Sequence, residues 1–209
     1  MYPGLERYRM KNLKTLILAI VGGFAIGIGG VIYLSLENKM VGAFMFTVGL
    51  YTIVAHGLNL FTGKIGYILD NKPSYWIDLF LIWVGNFIGT FLSAQMVLQT
   101  RISGIQEVAL KICAVKTNDN LLSLFILGIF CGFLMFVAVD GYKRLQNPIL
   151  LFICVATFIL CGFEHCIADM FYFSLANLWN VNTLFIILII TLGNAIGSIF
   201  IPVIKFIKD

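Results

Sequence analysis

The sequence predicts an all-α integral membrane protein with six transmembrane helices. Of its 209 residues, 60% are hydrophobic and only 11% are charged. A water-soluble domain of this size covers its surface with many more charged side chains. The uncharged stretches are also long, each close to the roughly 20 residues that a helix needs to cross about 30 Å of hydrocarbon. Lipid is therefore the expected solvent for most of this chain.

Six such stretches can be separated along the chain. Four are read directly as spans: Thr15–Leu36, Met40–Gly63, Leu79–Thr100 and Leu121–Val139. The apolar region Pro148–Ile204 forms two more, because it is divided by a polar cluster of Asn177, Asn180 and Asn182. The first stretch is too long for a signal peptide and is read as a permanent span. The polar segment Arg101–Asn120 is read as a loop, so a single membrane domain over residues 1–209 is predicted.

Lysine and arginine are distributed unequally if the six spans alternate in direction. Ten of the fourteen fall on the side of the termini: Arg7, Arg9, Lys11, Lys14, Lys64, Lys72, Lys143, Arg144, Lys205 and Lys208. The other four are Lys39, Arg101, Lys111 and Lys116. Because basic residues are enriched in cytoplasmic loops, both termini are predicted to be cytoplasmic, in the cell (inner) membrane, with residues 1–13 as an N-terminal segment. The net charge of +4 is assigned to topology, and no nucleic-acid partner is predicted.

The two halves of the chain resemble each other. GNFIGT at residues 85–90 is echoed by GNAIGS at residues 193–198, at an offset of 108. Residues 59–61 are matched with 169–171 at an offset of 110, and Gly23 and Gly27 with Gly128 and Gly132 at 105. A single GxxxG spacing usually indicates close helix packing, but the shared order favours a duplication. Three spans per half give an inverted repeat, predicted over about 14–100 and 121–206.

Spans two and five are predicted to be broken at mid-membrane. Residues 55–63 (AHGLNLFTG) contain a histidine, an asparagine and two glycines, and residues 162–169 (GFEHCIAD) contain three ionisable side chains. Non-helical backbone is tolerated at that depth only inside protein or beside a water-filled path. Paired breaks in an inverted repeat are the best indication of a substrate pathway.

His165 is the main candidate for a functional residue within these breaks. An imidazole titrates near neutral pH and can exchange a proton or donate a hydrogen bond to an anion. A structural histidine that caps a helix end is the alternative. For Glu164 and Asp169 a structural role beside a helix N-terminus is favoured. His56 is expected to hydrogen-bond the first broken segment and not to face His165.

The residues of the breaks resemble the formate/nitrite transporter family, and the resemblance covers essentially the whole chain. GFEH at 162–165, followed by IADM at 167–170, is similar to that family's central-histidine signature. LFTG at 60–63 is similar to its loop in span two, and GNAIG at 193–197 to its last-span motif. The glycine-rich GGFAIG at 22–27 agrees with the same family.

This resemblance implies an aquaporin-like protomer in a homopentamer, with one pore per subunit for formate, nitrite, hydrosulfide or a related small monovalent anion. It implies no enzyme activity, cofactor or metal. By position, His165 resembles the central pore histidine, Thr62 the threonine that faces it, and Asn194 an asparagine near that loop. Lys116 corresponds to a lysine of the outer vestibule, and Glu164 is counted with the pore residues. A cytoplasmic constriction is assigned to Phe46, Leu50 and Phe158.

Three positions depart from the family's pattern. Gly132 stands where the family usually has an asparagine, Asn59 replaces a common acidic residue, and Asp169 replaces a common asparagine. The glycine is expected to remove a polar pore contact and to widen the path. Formate is the first candidate substrate, and this change makes hydrosulfide a serious alternative, although a water molecule could replace the missing contact.

A bare anion crosses an apolar constriction at a high cost in free energy, so the anion is expected to cross as its neutral acid. The hypothesis is that Lys116 attracts the anion, and that His165, or water held by it, supplies the proton. The main alternative of another class is an electron-transfer subunit with His56 and His165 as axial haem ligands. An intramembrane hydrolase is disfavoured because Ser174 has no obvious base.

Overall fold

A computed structural model describes the backbone of residues 3–208 and the side chains of residues 9–207. Met1, Tyr2, Asp209 and the side chains of Arg7 and Lys208 lie outside the described residues. The regular structure is helical, which confirms the all-α prediction. The helices are α1 (Pro3–Ser35), α2 (Lys39–Ala55), α3 (Phe61–Lys64), α4 (Tyr75–Leu98), α5 (Ile105–Thr117), α6 (Leu121–Leu145), α7 (Ile149–Leu160), α8 (Cys166–Leu175) and α9 (Val181–Lys208). A 3-10 turn at Ile65–Tyr67 follows α3.

Four helices are long and apolar enough to cross a membrane, namely α1 over Arg9–Ser35, α4, α6, and α9 over Val181–Ile207. The segments predicted as spans two and five contain shorter helices, α2 followed by α3 and α7 followed by α8. Residues 3–13 continue the first long helix. Large apolar side chains on the outside of the molecule include Phe80 and Leu122, which are 65% and 67% exposed. Such a surface suits lipid or another subunit better than water.

Residues 56–60 separate α2 from α3, and residues 161–165 separate α7 from α8. We call these segments the first and second interruptions, and both begin with the same kind of helix end. Gly57 follows the end of α2 and Gly162 follows the end of α7, with φ angles of +64° and +69°. The residue after each glycine donates its N–H to the carbonyl five positions earlier, at 2.9 Å for Leu58 and 2.8 Å for Phe163. This is the Schellman arrangement, in which glycine is favoured because it has no Cβ to clash in the left-handed region. The two glycines are therefore local stop signals for α2 and α7.

Close helix crossings at two glycines join α1 to α4 and α6 to α9. A Cβ added at Gly23 would overlap the carbonyl oxygen of Asn86, and one added at Gly132 would overlap that of Asn194. Gly23 therefore corresponds to Gly132, at an offset of 109. The predicted pairing of Gly23 with Gly128 is wrong by about one helical turn. Gly128 and Gly132 lie on the same helix face, so spacing alone does not distinguish them.

Replacing Gly132 with alanine is expected to lower the free energy of unfolding by about 1–3 kcal/mol, because α6 must move away from α9 to make room for the methyl group. The midpoint of thermal unfolding in detergent measures the change. Gly104→Ala is the matched control, since a Cβ there meets no atom within 4 Å. Equal midpoints for the two variants would contradict the close crossing.

The segment between α4 and α6 is predicted to be a loop, but it contains the 13-residue helix α5. That prediction is wrong. Its buried residues repeat with a helical period: Ile105, Ala109, Cys113 and Lys116. The exposed side chains between them are both charged and apolar, among them Glu107, Leu110 and Val115, so no clean stripe was visible in the sequence. The stripe packs against α8, which is buried along its whole length. This correction places Lys116 in the interior of the molecule.

Candidate functional site

Asn86 on α4 holds the first interruption. Its Oδ1 accepts the N–H of Phe61 at 2.9 Å, and its Nδ2 donates to the carbonyl oxygens of Asn59 and Ala19, both at 2.8 Å. The N–H of Phe61 is at the start of α3, where backbone donors have no partner within the helix. One buried amide therefore satisfies three backbone groups and ties the segment to α1.

Asn194 on α9 holds the second interruption in the same way. Its Oδ1 accepts the N–H of Cys166 at 2.9 Å, and its Nδ2 donates to the carbonyl oxygens of Glu164 and Gly128, both at 2.8 Å. Phe61 therefore corresponds to Cys166, at an offset of 105. The predicted match of residues 59–61 with 169–171, at an offset of 110, is wrong. The structure brings Asn194 to the second interruption rather than to the loop that carries Thr62.

The two interruptions meet at His165 and Thr62. Thr62 Oγ1 lies 2.9 Å from His165 Nε2, and both side chains are buried. His165 Nδ1 accepts the N–H of Ala168 at 3.1 Å and so caps α8. Because Nδ1 is an acceptor, the proton of the neutral imidazole is assigned to Nε2, which donates to Thr62. The side chain thus caps α8 and also presents its Nε2 proton to Thr62, just after the first interruption.

Lys116 forms ion pairs with two carboxylates. Its Nζ contacts Glu164 Oε2 and lies 2.8 Å from Asp169 Oδ1. All three side chains are at least nine-tenths buried. Burial disfavours the ammonium ion, but attraction to Asp169 and Glu164 outweighs that effect, so the pKa of Lys116 lies above its ordinary value. Lys116 is therefore a charged residue of the interior. Asp169, which was assigned a structural role, is a direct partner of it.

Two cavities approach the interruptions from opposite sides. The first, which we call the Lys116 cavity, has a volume of about 230 Å³ and is lined by polar and aromatic residues, among them Lys116, Glu164, Asp169, Tyr172, Phe158 and His165. The second, the Lys64 cavity, has a volume of about 320 Å³ and is lined by residues including Leu60, Lys64, Val139 and Lys143. A basic side chain is thus present in each cavity.

Aromatic side chains close the inner end of the Lys116 cavity. The Phe158 ring stacks on the His165 ring with centroids 5.5 Å apart, and Phe46 meets Phe158 edge-on at 6.0 Å. Phe158, which is predicted to belong to the cytoplasmic constriction, lines the Lys116 cavity and not the Lys64 cavity. Leu50 is buried one turn further along α2, toward the Lys64 cavity.

Leu60, which lines the Lys64 cavity, was missed in the sequence. Its position directly before α3 in the first interruption is the signal that could have identified it.

Gly132 does not have the role expected from its departure from the family's pattern. Its missing side chain would meet the Asn194 backbone, so the glycine permits a helix crossing. The lining of the Lys116 cavity and that of the Lys64 cavity do not include it. The expectation that Gly132 widens the path is wrong, because the glycine lies at a helix crossing. The structural argument that made hydrosulfide a serious alternative to formate is therefore removed.

The geometry does not support the alternatives of other classes. His56 is exposed at the end of α2, whereas both ring nitrogens of His165 are engaged by Thr62 and Ala168. A pair of haem ligands requires two free imidazole nitrogens that face one space. Ser174 Oγ donates to the carbonyl oxygen of Met170 at 2.6 Å and accepts from Trp179 Nε1 at 3.0 Å, so it is engaged as a structural hydroxyl.

The chain is similar to known channels and transporters. A family model described as formate/nitrite transporter matches residues 2–207. The formate channel FocA of Escherichia coli (strain K12) is 28% identical over 193 residues, which cover 80% of this chain and 68% of FocA. The nitrite transporter NirC of the same strain is 26% identical over 218 aligned positions, covering 88% of this chain and 79% of NirC.

Solved structures agree with these relatives. One described as a pentameric formate channel with formate bound has a TM-score of 0.83 at 25% identity, and covers 96% of this chain and 98% of that one. An FNT family ion channel has a TM-score of 0.77 at 20% identity, covers 94% and 90%, and shows likeness of fold alone. The named relatives are channels and transporters, not enzymes. This multi-pass membrane protein is a member of the formate/nitrite transporter family.

Proposed function

We propose that the protein is a channel for small monovalent weak-acid anions, with formate as the first candidate. The observation that carries the proposal is the meeting of Thr62 and His165 between two cavities that each contain lysine. An anion is attracted by basic side chains at either end, and an apolar constriction between them excludes hydrated ions. Nitrite and hydrosulfide are the alternative substrates.

The proposal includes a topology of six spans in the cell (inner) membrane with both termini cytoplasmic. Span two is α2 with α3, and span five is α7 with α8. Support comes from the matched glycine ends and the matched asparagine contacts of the two halves, which are the contacts expected of an inverted repeat over about 14–100 and 121–206. On this topology the Lys116 cavity is external and the Lys64 cavity is cytoplasmic.

A homopentamer with one path per subunit is also proposed. The structural neighbour at 25% identity is described as a pentameric formate channel. Apolar side chains are exposed on several helices, as expected of a protomer that meets lipid and neighbouring subunits. The path itself lies within one protomer, between its two interruptions.

Proton coupling belongs to the proposal because the free-energy cost of passing the apolar rings of Phe46 and Phe158 is lowest for the neutral acid. The hydrogen bonds of His165 weigh against the relay role predicted for it. A second ring proton at Nδ1 would displace the Ala168 amide, and loss of the Nε2 proton alone would leave an imidazolate. We therefore assign His165, together with Thr62, the role of hydrogen-bonding the passing acid.

The first experiment is anion flux into proteoliposomes, with formate, nitrite, hydrosulfide and chloride compared at two pH values. Selective, acid-stimulated flux of one weak-acid anion is expected. In His165→Asn, flux is expected to fall about tenfold or more at both pH values, since one hydrogen bond in the path contributes about 1–2 kcal/mol. The ratio of the flux at the lower pH to the flux at the higher pH should be the same in His165→Asn as in the wild type. Asparagine can still cap α8, so the variant is expected to fold.

His56→Asn is the control, because His56 is exposed and lies away from the path. A ratio that changes in His165→Asn would favour the relay role instead. No flux of any of the four anions through folded wild-type protein would refute the channel proposal.

A further inference from the structure

Lys116, Glu164 and Asp169 form a buried cluster in which acidic groups outnumber basic ones. The three side chains are 9%, 6% and 2% exposed. With both carboxyl groups ionised, two negative charges face one positive charge. A net charge is costly in such surroundings, and a negative one would repel the anion that the cavity is proposed to receive. The cluster is neutral if it holds one additional proton.

One oxygen of this cluster has no partner. Asp169 Oδ1 lies 2.8 Å from Lys116 Nζ, whereas Asp169 Oδ2 is buried without a hydrogen bond. Asp169 also lines the Lys116 cavity. A buried carboxylate oxygen without a donor is unfavourable. A protonated oxygen at the same place is uncharged and can donate to a molecule in the cavity.

We propose that Glu164 and Asp169 share one proton at neutral pH, and that this proton, on Asp169 Oδ2, is the one given to a weak-acid anion in the Lys116 cavity. The inference rests on the proposed channel function and deepens it. Carboxyl groups that share a site ionise one after the other, as a coupled pair. Lys116 balances the carboxylate that stays ionised.

The transfer is a simple proton exchange. The O–H bond of Asp169 breaks and an O–H bond forms on the anion, so that formate becomes formic acid and Asp169 becomes a carboxylate. The neutral acid then moves toward Phe158 and His165, which line the same cavity. A proton from the bulk solvent then returns to Asp169 through water at the rim, where Val115 is 71% exposed. One proton thus crosses with each anion.

Other titratable groups near Asp169 do not alter this charge balance. Thiols and phenols that face the cluster are uncharged at neutral pH, and they belong to α1, α5, α6 and α8: Tyr33, Cys113, Cys131, Cys166 and Tyr172. The imidazole of His165 is engaged by Thr62 and Ala168. On α4 and α9, the charged residues with described side chains pair elsewhere, Asp78 with Lys11 and Lys205 with Asp140.

The shared proton can be tested without transport. Infrared spectroscopy of the reconstituted protein at neutral pH is expected to show the carbonyl band of a buried protonated carboxyl group, shifted in D₂O. Asp169→Asn and Glu164→Gln should each remove it, because either change leaves one carboxylate to pair with Lys116. Glu107→Gln, on the exposed side of α5, should keep it. Absence of the band in the wild type, or its survival in either cluster variant, would overturn the proposal.

The donor role can be tested by flux at fixed total formate. Between about pH 5 and 7, wild-type flux is expected to rise with acidity by less than the roughly tenfold per pH unit by which bulk formic acid rises, because the donor already carries its proton at neutral pH. In Asp169→Asn the flux should fall about tenfold per unit rise in pH throughout, as the bulk concentration of formic acid does. A pH dependence in Asp169→Asn as shallow as that of the wild type would overturn the donor role. Absence of flux in the wild type would instead refute the channel function, and the infrared band alone would then decide whether the proton is shared.

Discussion

Replacing Lys116 with methionine is expected to abolish anion flux and to lower the free energy of unfolding by about 3–5 kcal/mol, the usual effect of breaking a buried ion pair. Methionine has nearly the same length, so the change removes the ammonium group and little packing. Glu164 and Asp169 are then left as buried carboxyl groups without their cation. The cavity also loses the positive charge that faces an incoming anion. Formate flux and the unfolding midpoint, followed by tryptophan fluorescence, measure the two effects.

Lys111→Met is the matched control for Lys116→Met. Lys111 lies on the same helix but is exposed, so its replacement should change stability by no more than about 0.5 kcal/mol and leave flux intact. A triple variant that combines Lys116→Met with Glu164→Gln and Asp169→Asn should regain most of the stability without flux, since no charge is left unpaired. If Lys116→Met behaved like Lys111→Met, the ion pairs of Lys116 would neither stabilise the fold nor support anion flux.

The helix ends at the interruptions could be predicted because their signals are local. Gly57 and Gly162 permit left-handed backbone at the ends of α2 and α7. Asn120 caps α6 by accepting the N–H of Ser123 at 2.8 Å, and His165 caps α8. Each signal acts within a few residues of the chain, and composition alone identified the long apolar helices.

The burial of Lys116 could not be predicted from its neighbours in sequence. Glu107 and Lys111 on the same helix are exposed, and nothing in the local sequence distinguishes Lys116 from them. What places Lys116 inside is the contact of α5 with α8, about 50 residues further on. The pairing of Gly23 with Gly128 failed for a related reason. Two glycines four residues apart on one helix are equivalent in sequence, and only the position of α9 shows which of them is at the crossing.

The grouping of Phe158 with Leu50 shows the same limit. Both belong to interrupted segments, and a resemblance by position indicates that they line a path. Which cavity each one borders depends on the direction in which α2 and α7 approach the centre. That direction is set by the helix packing, in which Phe158 lies against Phe46 and His165.

Replacing Asn194 with alanine is expected to lower the free energy of unfolding by about 2–5 kcal/mol and to abolish flux. The change removes three buried hydrogen bonds at once and leaves the N–H of Cys166 and the carbonyl of Glu164 without that partner. Each such group costs about 1–3 kcal/mol in the interior of a protein, and less where another partner can be found. His165 lies in the second interruption, between Glu164 and Cys166. Relaxation of that interruption therefore moves the His165 ring away from Thr62.

Asn182→Ala tests whether this effect belongs to the interruption and not to α9 in general. Asn182 is exposed at the start of the same helix, so its replacement should leave stability and flux near those of the wild type. Asn194→Asp should be intermediate, because burial keeps the new carboxyl group protonated, so that it still accepts the Cys166 N–H and donates to one of the two carbonyls. Wild-type flux in Asn194→Ala would mean that His165 is held by other contacts. The helix cap at Ala168 and the stacking on Phe158 would then be sufficient to position the ring.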